Sequence, residues 1–352
     1  MNTQTIKTLA KEVGFDLVGI SPPELLEAAK ERFCRWTDGG LFGTMDYMQR
    51  SRARRLNPDS FFEGARSVIV VGLNYFNGPF AAGGRPGSGR VSRYAWGADY
   101  HTVLTGRLAE LARLIKEGVP DGFRYKISVD TAPVLERVFA YQAGLGFIGK
   151  NTLLISQECG SWIFIGCLFT NLALDYDRPV AMGCGGCRKC IDACPVGALS
   201  EPGILDANTC ICALTIEHRG AIDETRAGRM AFRIFGCDVC QEVCPMNAGA
   251  PLTKNRFFLA DCGTGPFLDP DEVFSLRDSE AFSARFKDSP IARTTFFGLL
   301  RNACIVAANT GRREYVPALQ NIGRSSQLPD WLRITAQHSL ARLAAQPSGR
   351  SV

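Results

Sequence analysis

Residues 184–195 read CGGCRKCIDACP, four cysteines within eleven residues, separated by two, two and three residues and closed by a proline. Few features constrain a chain more. An iron–sulfur cubane needs four thiolates, and this run is the one bacterial ferredoxins use to supply them. In two-cluster ferredoxins the fourth cysteine of such a run serves the other cluster. A second run, CDVCQEVCP, brings Cys237, Cys240 and Cys244-Pro245, but Ile234 stands where its first cysteine would be. One ligand must come from elsewhere, and DANTCIC offers Cys210 and Cys212. A crosswise assignment then closes. One cluster takes Cys184, Cys187, Cys190 and Cys244; the other takes Cys194, Cys237, Cys240 and one of Cys210 or Cys212. Two zinc sites would not require the three-residue step into Cys-Pro at the end of both runs.

Nine of the chain's fourteen cysteines lie between 184 and 244. A reducing compartment disfavours structural disulfides, so metal is the better reason for such bunching. The first fifteen residues form an amphipathic pattern with Ile6, Leu9, Ala10 and Val13 on one face, not a secretory signal or a twin-arginine leader. The most apolar stretch, SWIFIGCLFTNLAL, falls short of the roughly 20 apolar residues a membrane span needs. We expect a cytoplasmic protein that avoids membranes. With no long apolar seam on view, we also expect a monomer.

At 352 residues the chain has room for several domains, and 46% hydrophobic with 21% charged residues describes a globular one. The reading is α+β. In the first 175 residues, FDLVGI, SVIVVGLNYF (67–76), FRYKISVD (123–130), NTLLIS and SWIFIGCLFTNLAL read as strands. The pattern MNTQTIKTLAKEVGF, stopped at Gly14, residues 102–118 and APVLERVFAYQAG, with Pro133 near its start, read as helices. The stretch 81–90 is a Gly-rich loop. A ferredoxin-like segment covers 176–250. Residues 251–352 are mostly helical and resemble one or two α-solenoid units; in DWLRITAQHSLARLAA, Leu332, Ala336, Leu340 and Leu343 share a face. From Leu276 onward there are eleven Lys and Arg against five Asp and Glu, leaving the rest of the chain near neutrality. A basic end on a neutral body suits an anionic partner, although a solvated helix surface looks the same.

Other motifs carry less. AGLGFIGKN (143–151) matches G-x-G-x-x-G, but a helix precedes it and a strand follows, the reverse of a dinucleotide site. Its glycines mark a tight helix-to-strand turn, and Lys150 is either a contact for an anionic group or a surface lysine. DYH (99–101) begins like the D-x-H-x-x-G sequence that ligates cobalamin, but Leu104 replaces the glycine, so His101 reads as a local hydrogen-bonding residue. Asp130, at a strand end before TAP, reads either as a general acid or, with Thr131 as the other candidate, as a helix cap, and spacing alone favours the cap. Three histidines and no Ser–His–Asp order or HExxH leave little for hydrolysis.

Together these segments resemble the epoxyqueuosine reductase family. The matching stretches are GFDLVGI, SVIVVGLNYF, SRYAWGADYH, SVDTAPVLER, AGLGFIGKNTLLIS, GSW, CGGCRKCIDACPVGAL, CICALTIEHRG, GCDVCQEVCPMN and the LLRNA helix, in order along nearly the whole chain. The resemblance implies cobalamin in an N-terminal domain (1–175), two 4Fe–4S clusters (176–250) and a HEAT-like C-terminal domain (251–352). It implies reduction of epoxyqueuosine at the wobble position of tRNA, with electrons from an external low-potential donor. It makes Asp130 the catalytic acid and Cys210 the remaining cluster ligand. It places the corrin near Ser92, Arg93, Tyr94, Asp130, Leu154, Ile155 and Ser156. Two positions depart from the pattern: Cys212-Ala213 where Ser-Tyr is expected, and Cys167 where glutamate is expected. The remaining Cys34, Cys159, Cys262 and Cys304 read as ordinary buried cysteines.

An epoxide is a poor electrophile until its oxygen is protonated. Burial would keep Asp130 neutral and able to donate. Arg285, Lys287, Arg293, Arg301, Arg312 and Arg313 would hold tRNA phosphates in a salt-sensitive way, and the wobble base would flip into the pocket. A corrinoid reductive dehalogenase is the competing enzyme; a ferredoxin-like carrier with an interaction domain is the competing non-enzyme.

Overall fold

The computed structural model describes residues 1–80, 87–119 and 121–345. Most of the Gly-rich loop expected at 81–90 lies outside them.

Every residue of β2 (Ser67–Asn74) is buried. A run such as SVIVVGLN has apolar side chains on both faces, so both faces must be covered. β2 pairs antiparallel with β1 (Leu17–Ser21) on one side and β7 (Ile163–Thr170) on the other. With β4 (Tyr125–Ser128) beside β7, the order is β1-β2-β7-β4. Alternate residues point to opposite faces. Ile69, Val71 and Leu73 meet Ile6, Leu104, Leu108 and Leu111 from the helices Thr3–Val13 and Tyr100–Glu117. Val68 and Val70 meet Phe139 and Ala140 of the helix Glu136–Gln142. The long helix crosses β7 at Gly166, where an added Cβ would stand 2.8 Å from Leu108. The first helix stops at Gly14 in the left-handed region (φ 96), as its sequence predicts.

The segment APVLER differs from expectation. It turns tightly, Thr131 N–H donating to Val129 and Val134 N–H to Ala132, and the helix starts only at Glu136. Pro133 disfavours a helical residue 132 and so delays it. The expected LLIS strand shrinks to β6 (Leu154–Ile155), hairpinned to β5 (Phe147–Ile148).

A second sheet has no counterpart in the sequence reading. β3 (Gly89–Val91) runs parallel to β8 (Arg233–Phe235) and antiparallel to β9 (Phe267–Leu268). One strand comes from each third of the chain, and the core around them mixes Val91, Trp96, Ile216, Phe235, Leu268, Phe282 and Leu299. Gly89 is required here, because a Cβ would lie 2.5 Å from Ile234. Beside this join the buried Arg93 guanidinium donates to Asp238 (3.0 Å) and Glu242 (2.8 Å). It also lies over the rings of Phe80, Trp96 and Trp162. The chain ends in the helices Phe296–Asn309, Val316–Arg324 and Asp330–Ala345, the first buried along almost its whole length. Among the described residues no helix is long and apolar enough to cross a membrane.

Candidate cluster loops and proton-delivery site

The cysteines separate into two neighbourhoods. Cys244 lies within electrostatic reach of Cys184 and Cys187, and Cys190 within reach of Cys184 and Cys244. Cys210 reaches Cys194, and Cys240 reaches Cys237 and Cys210. These neighbour relations are compatible with the crosswise grouping read from spacing. Cys240 also feels Cys190, so the two sets adjoin. Backbone amides serve sulfurs: Ala198 N–H donates to Cys194 (3.3 Å) and Lys150 N–H to Cys184 (3.4 Å). Desolvation, with neighbouring sulfurs adding to it, pushes the Cys190, Cys210, Cys240 and Cys244 thiols up. Bound iron reverses that penalty by ionising the sulfurs. This donor set therefore fits two cubanes. Cys212 faces Cys210, Cys237 and Cys240, with no link to Cys194 among its main influences.

A second constellation lies beside the cysteine loops. Asp99 caps the helix Tyr100–Glu117, accepting from His101 N–H at 2.9 Å and facing His101 Nδ1 at 2.7 Å. The other ring nitrogen, Nε2, faces Asp130 Oδ2 at 3.4 Å. The Tyr100 ring stacks between His101 (4.0 Å) and Phe164 (4.4 Å). Asp130 holds a left-handed backbone (φ 56), which aspartate tolerates better than most residues. It caps no helix, because the next begins at Glu136 with no side-chain cap; that corrects the reading from spacing.

Electrostatics correct a second expectation. Desolvation would raise the Asp130 carboxyl, but hydrogen bonds from His101 and Tyr100, with the His101 and Arg137 charges, bring it below its usual value. Burial would lower His101, yet its bonds to Asp130 and Asp99 raise it to about 9. These bonds favour the charged, protonated form of His101 between two carboxylates. Burial of Asp130 is incomplete; its side chain is 66% exposed. The nearby Glu136 is pushed up to about 7, chiefly by desolvation.

Tyr94 connects this site to the cysteines. Desolvation raises its phenol, with Cys212, Tyr100, Asp130 and Glu217 as charged or ionisable neighbours. These groups gather aromatic rings and a proton source between the Asp130 loop and the Cys210–Cys240 set, a chemistry that suits a large ring cofactor. A separate cavity of about 410 Å³, lined by Lys7, Lys11 and Glu158, touches none of them. Of the expected corrin neighbours, Tyr94 and Asp130 come within electrostatic reach of each other. The Arg93 guanidinium is instead committed to Asp238 and Glu242. The side chains of Leu154, Ile155 and Ser156 are almost wholly buried, so they offer a cofactor no free side-chain surface.

Among the basic residues, Arg301 is misassigned by sequence. It is fully buried and donates to the carbonyls of Leu214, His218 and Gly220. Net charge counts a guanidinium without saying which way it points. Arg285, Lys287, Arg293 and Arg313 are exposed and Arg312 is half-buried. Arg293 pairs with Glu217 (2.8 Å) and lies over the Tyr47 ring (5.5 Å); Tyr47 in turn feels Asp130. Arg293 is thus linked through Tyr47 to the Asp130 neighbourhood. Cys167 is buried in β7 near Glu136, while Cys262, expected inside, is exposed.

The sequence reading treated His101 as merely local and missed Asp99 altogether. The signal was present in DYH, an acid two residues before a histidine at a helix start. Its meaning depends on Asp130, which is distant in sequence.

Comparison with known proteins identifies the arrangement. A family model described as epoxyqueuosine reductase QueG, DUF1730, matches residues 55–131. A 4Fe-4S double cluster binding domain matches residues 183–247. Epoxyqueuosine reductase of Leadbetterella byssophila is 39% identical over 305 residues, covering 86% of this chain and 98% of that protein. A crystal structure of epoxyqueuosine reductase with an epoxyqueuosine-modified tRNA-Tyr stem loop superposes with a TM-score of 0.87 at 27% identity, over 97% of this chain and 89% of that one. The Bacillus subtilis enzyme, solved with its catalytic aspartate loop swung out of the active site, gives 0.87 at 27% identity, over 97% and 90%. With 39% identity over nearly the whole of a curated relative, the chain belongs to the epoxyqueuosine reductase family.

Proposed function

We propose that the chain converts epoxyqueuosine at the wobble position of tRNA to queuosine, with Asp99, His101 and Asp130 delivering the proton. The reaction consumes two electrons and two protons, breaks both epoxide C–O bonds, and releases the oxygen as water. Bound cobalamin supplies the reducing centre and two 4Fe–4S clusters supply electrons one at a time, drawn from an external low-potential donor. The cluster ligands are Cys184, Cys187, Cys190 and Cys244 in one set, and Cys194, Cys210, Cys237 and Cys240 in the other.

The chain's own residues hold and move the proton. His101 carries it at neutral pH, and Asp99 fixes the ring so that Nε2 faces Asp130. As negative charge develops on the epoxide oxygen, Asp130 accepts the His101 proton and passes it on. Tyr94 and Tyr100 would help to hold the corrin. Arg285, Lys287, Arg293, Arg312 and Arg313 meet tRNA phosphates, with Arg293 nearest the flipped base. Residues 1–175, 176–250 and 251–352 act as catalytic, electron-carrying and HEAT-like tRNA-binding parts of a cytoplasmic monomer.

The observation that carries the reading is the chain of contacts from Asp99 through His101 to Asp130 beside the cysteine sets. The test is Asp130→Asn in fully loaded enzyme. Reduction is expected to stop while iron and corrin contents stay unchanged; full turnover would remove Asp130 from the reaction.

A further inference from the structure

The β5–β6 turn, residues 149–153, reaches the cysteine loops of the following segment. Lys150 is attached there at three points. Its amide donates to Cys184 Sγ (3.4 Å), and its ammonium donates to the carbonyls of Gly185 (2.7 Å) and Cys187 (2.8 Å). Asn151 then donates to the Cys240 carbonyl (3.3 Å), so one turn touches a ligand loop of each set. The turn is held from behind. Arg137 donates to the Thr152 carbonyl (2.7 Å), and Thr152 keeps a left-handed backbone at φ 68. Gly149 leaves room for the Ile155 side chain, whose Cδ1 would lie 2.5 Å from an added Cβ.

Among the described residues no carboxylate pairs with the Lys150 ammonium. It is a half-buried positive charge fixed over a loop that supplies two thiolates. A four-thiolate cubane is anionic and gains a further negative charge on reduction, so a fixed cation favours the reduced form. Net charge and hydrogen bonds to sulfur are among the terms that set such potentials. We infer that Lys150 is a positioning residue that raises the reduction potential of the cluster held by Cys184, Cys187, Cys190 and Cys244. The inference rests on the crosswise ligand reading and extends it. A lysine dismissed as surface, or left as a generic anion contact, becomes the control on how readily one of the two clusters accepts an electron.

The test is an anaerobic redox titration of full-length, iron-loaded protein, following each cluster by electron paramagnetic resonance. Iron content is read first. A wild type lacking the first cluster would sink the ligand reading and this inference with it. With both clusters present, Lys150→Gln and Lys150→Met are expected to lower the equilibrium constant for reducing one cluster by about tenfold, about 59 mV for a one-electron couple. The other cluster should move less than about twofold, and Lys150→Arg should restore most of the shift. Lys189→Gln, an exposed charge on the same loop, should change little. Unchanged potentials in Lys150→Gln, or equal shifts in both clusters, would overturn the assignment. Loss of the first cluster from both uncharged variants would also overturn it, by reducing Lys150 to a brace.

Discussion

Replacing Arg301 separates a surface reading of the basic C-terminal region from a structural one. Its guanidinium is completely buried. It donates to Leu214 (2.6 Å), His218 (2.8 Å) and Gly220 (2.9 Å), and to the Asn302 side chain. Asn302 in turn donates to the carbonyls of Thr215 and Ile234. The pair fastens the helix Phe296–Asn309 to the segment just after Cys210. Desolvation lowers the Arg301 pKa to about 9, which still leaves it charged at pH 7. Arg301→Met keeps the bulk but strands three carbonyls, each worth about 1–3 kcal/mol if left unsatisfied. Allowing for relaxation and water entry, the loss should be about 3–5 kcal/mol, the lower part of that sum. At about 2 °C per kcal/mol for a chain larger than 150 residues, the melting midpoint should fall by about 6–10 °C. The companion measurement is tRNA affinity against salt below the melting range. Its slope should not change, because no phosphate contact is lost. An unshifted midpoint with a slope shallower by about one unit would refute the structural assignment.

Three further outcomes are expected. Cys210→Ala should lose one cluster's worth of iron and Cys212→Ala should retain both, because Cys194 is a near neighbour of Cys210; the opposite result would exchange their roles. The folded-state pKa of His101 is raised to about 9 from 6.5, so its contribution to stability is complete below about pH 6.5 and is lost as pH rises through 9. That contribution should be about 1 kcal/mol after allowing for the exposed Asp130 partner, and denaturation of Asp99→Asn at pH 6 and pH 9 should show a smaller difference than the wild type. Binding of tRNA should weaken steeply with salt and be further reduced by Arg293→Ala; salt-independent binding would contradict the phosphate role of the surface arginines.

What was legible in the sequence was local. Cluster ligands come in short fixed spacings, so Cys184 to Cys194 and Cys237 to Cys244 announced themselves, and the unbroken apolar run of β2 required cover on both faces. What was not legible depends on distant residues. β3, β8 and β9 are two or three residues long and show no period until Gly89 is seen against Ile234. Arg301 counts as surface charge by composition and is buried because the Leu214–Gly220 carbonyls need a donor. The Asp130 carboxyl was expected to be neutral because burial was considered without its partners; His101 and Tyr100 reverse the sign. Residue 130 could be found by resemblance, but the location of its proton could not.

The most direct test of the account is anaerobic reconstitution with iron, sulfide and cobalamin, followed by a strong reductant and mass spectrometry of the nucleoside from epoxyqueuosine-tRNA. The account predicts loss of one oxygen atom's mass, dependent on both cofactors and absent in Asp130→Asn. An unchanged nucleoside with clusters and corrin both bound would contradict it.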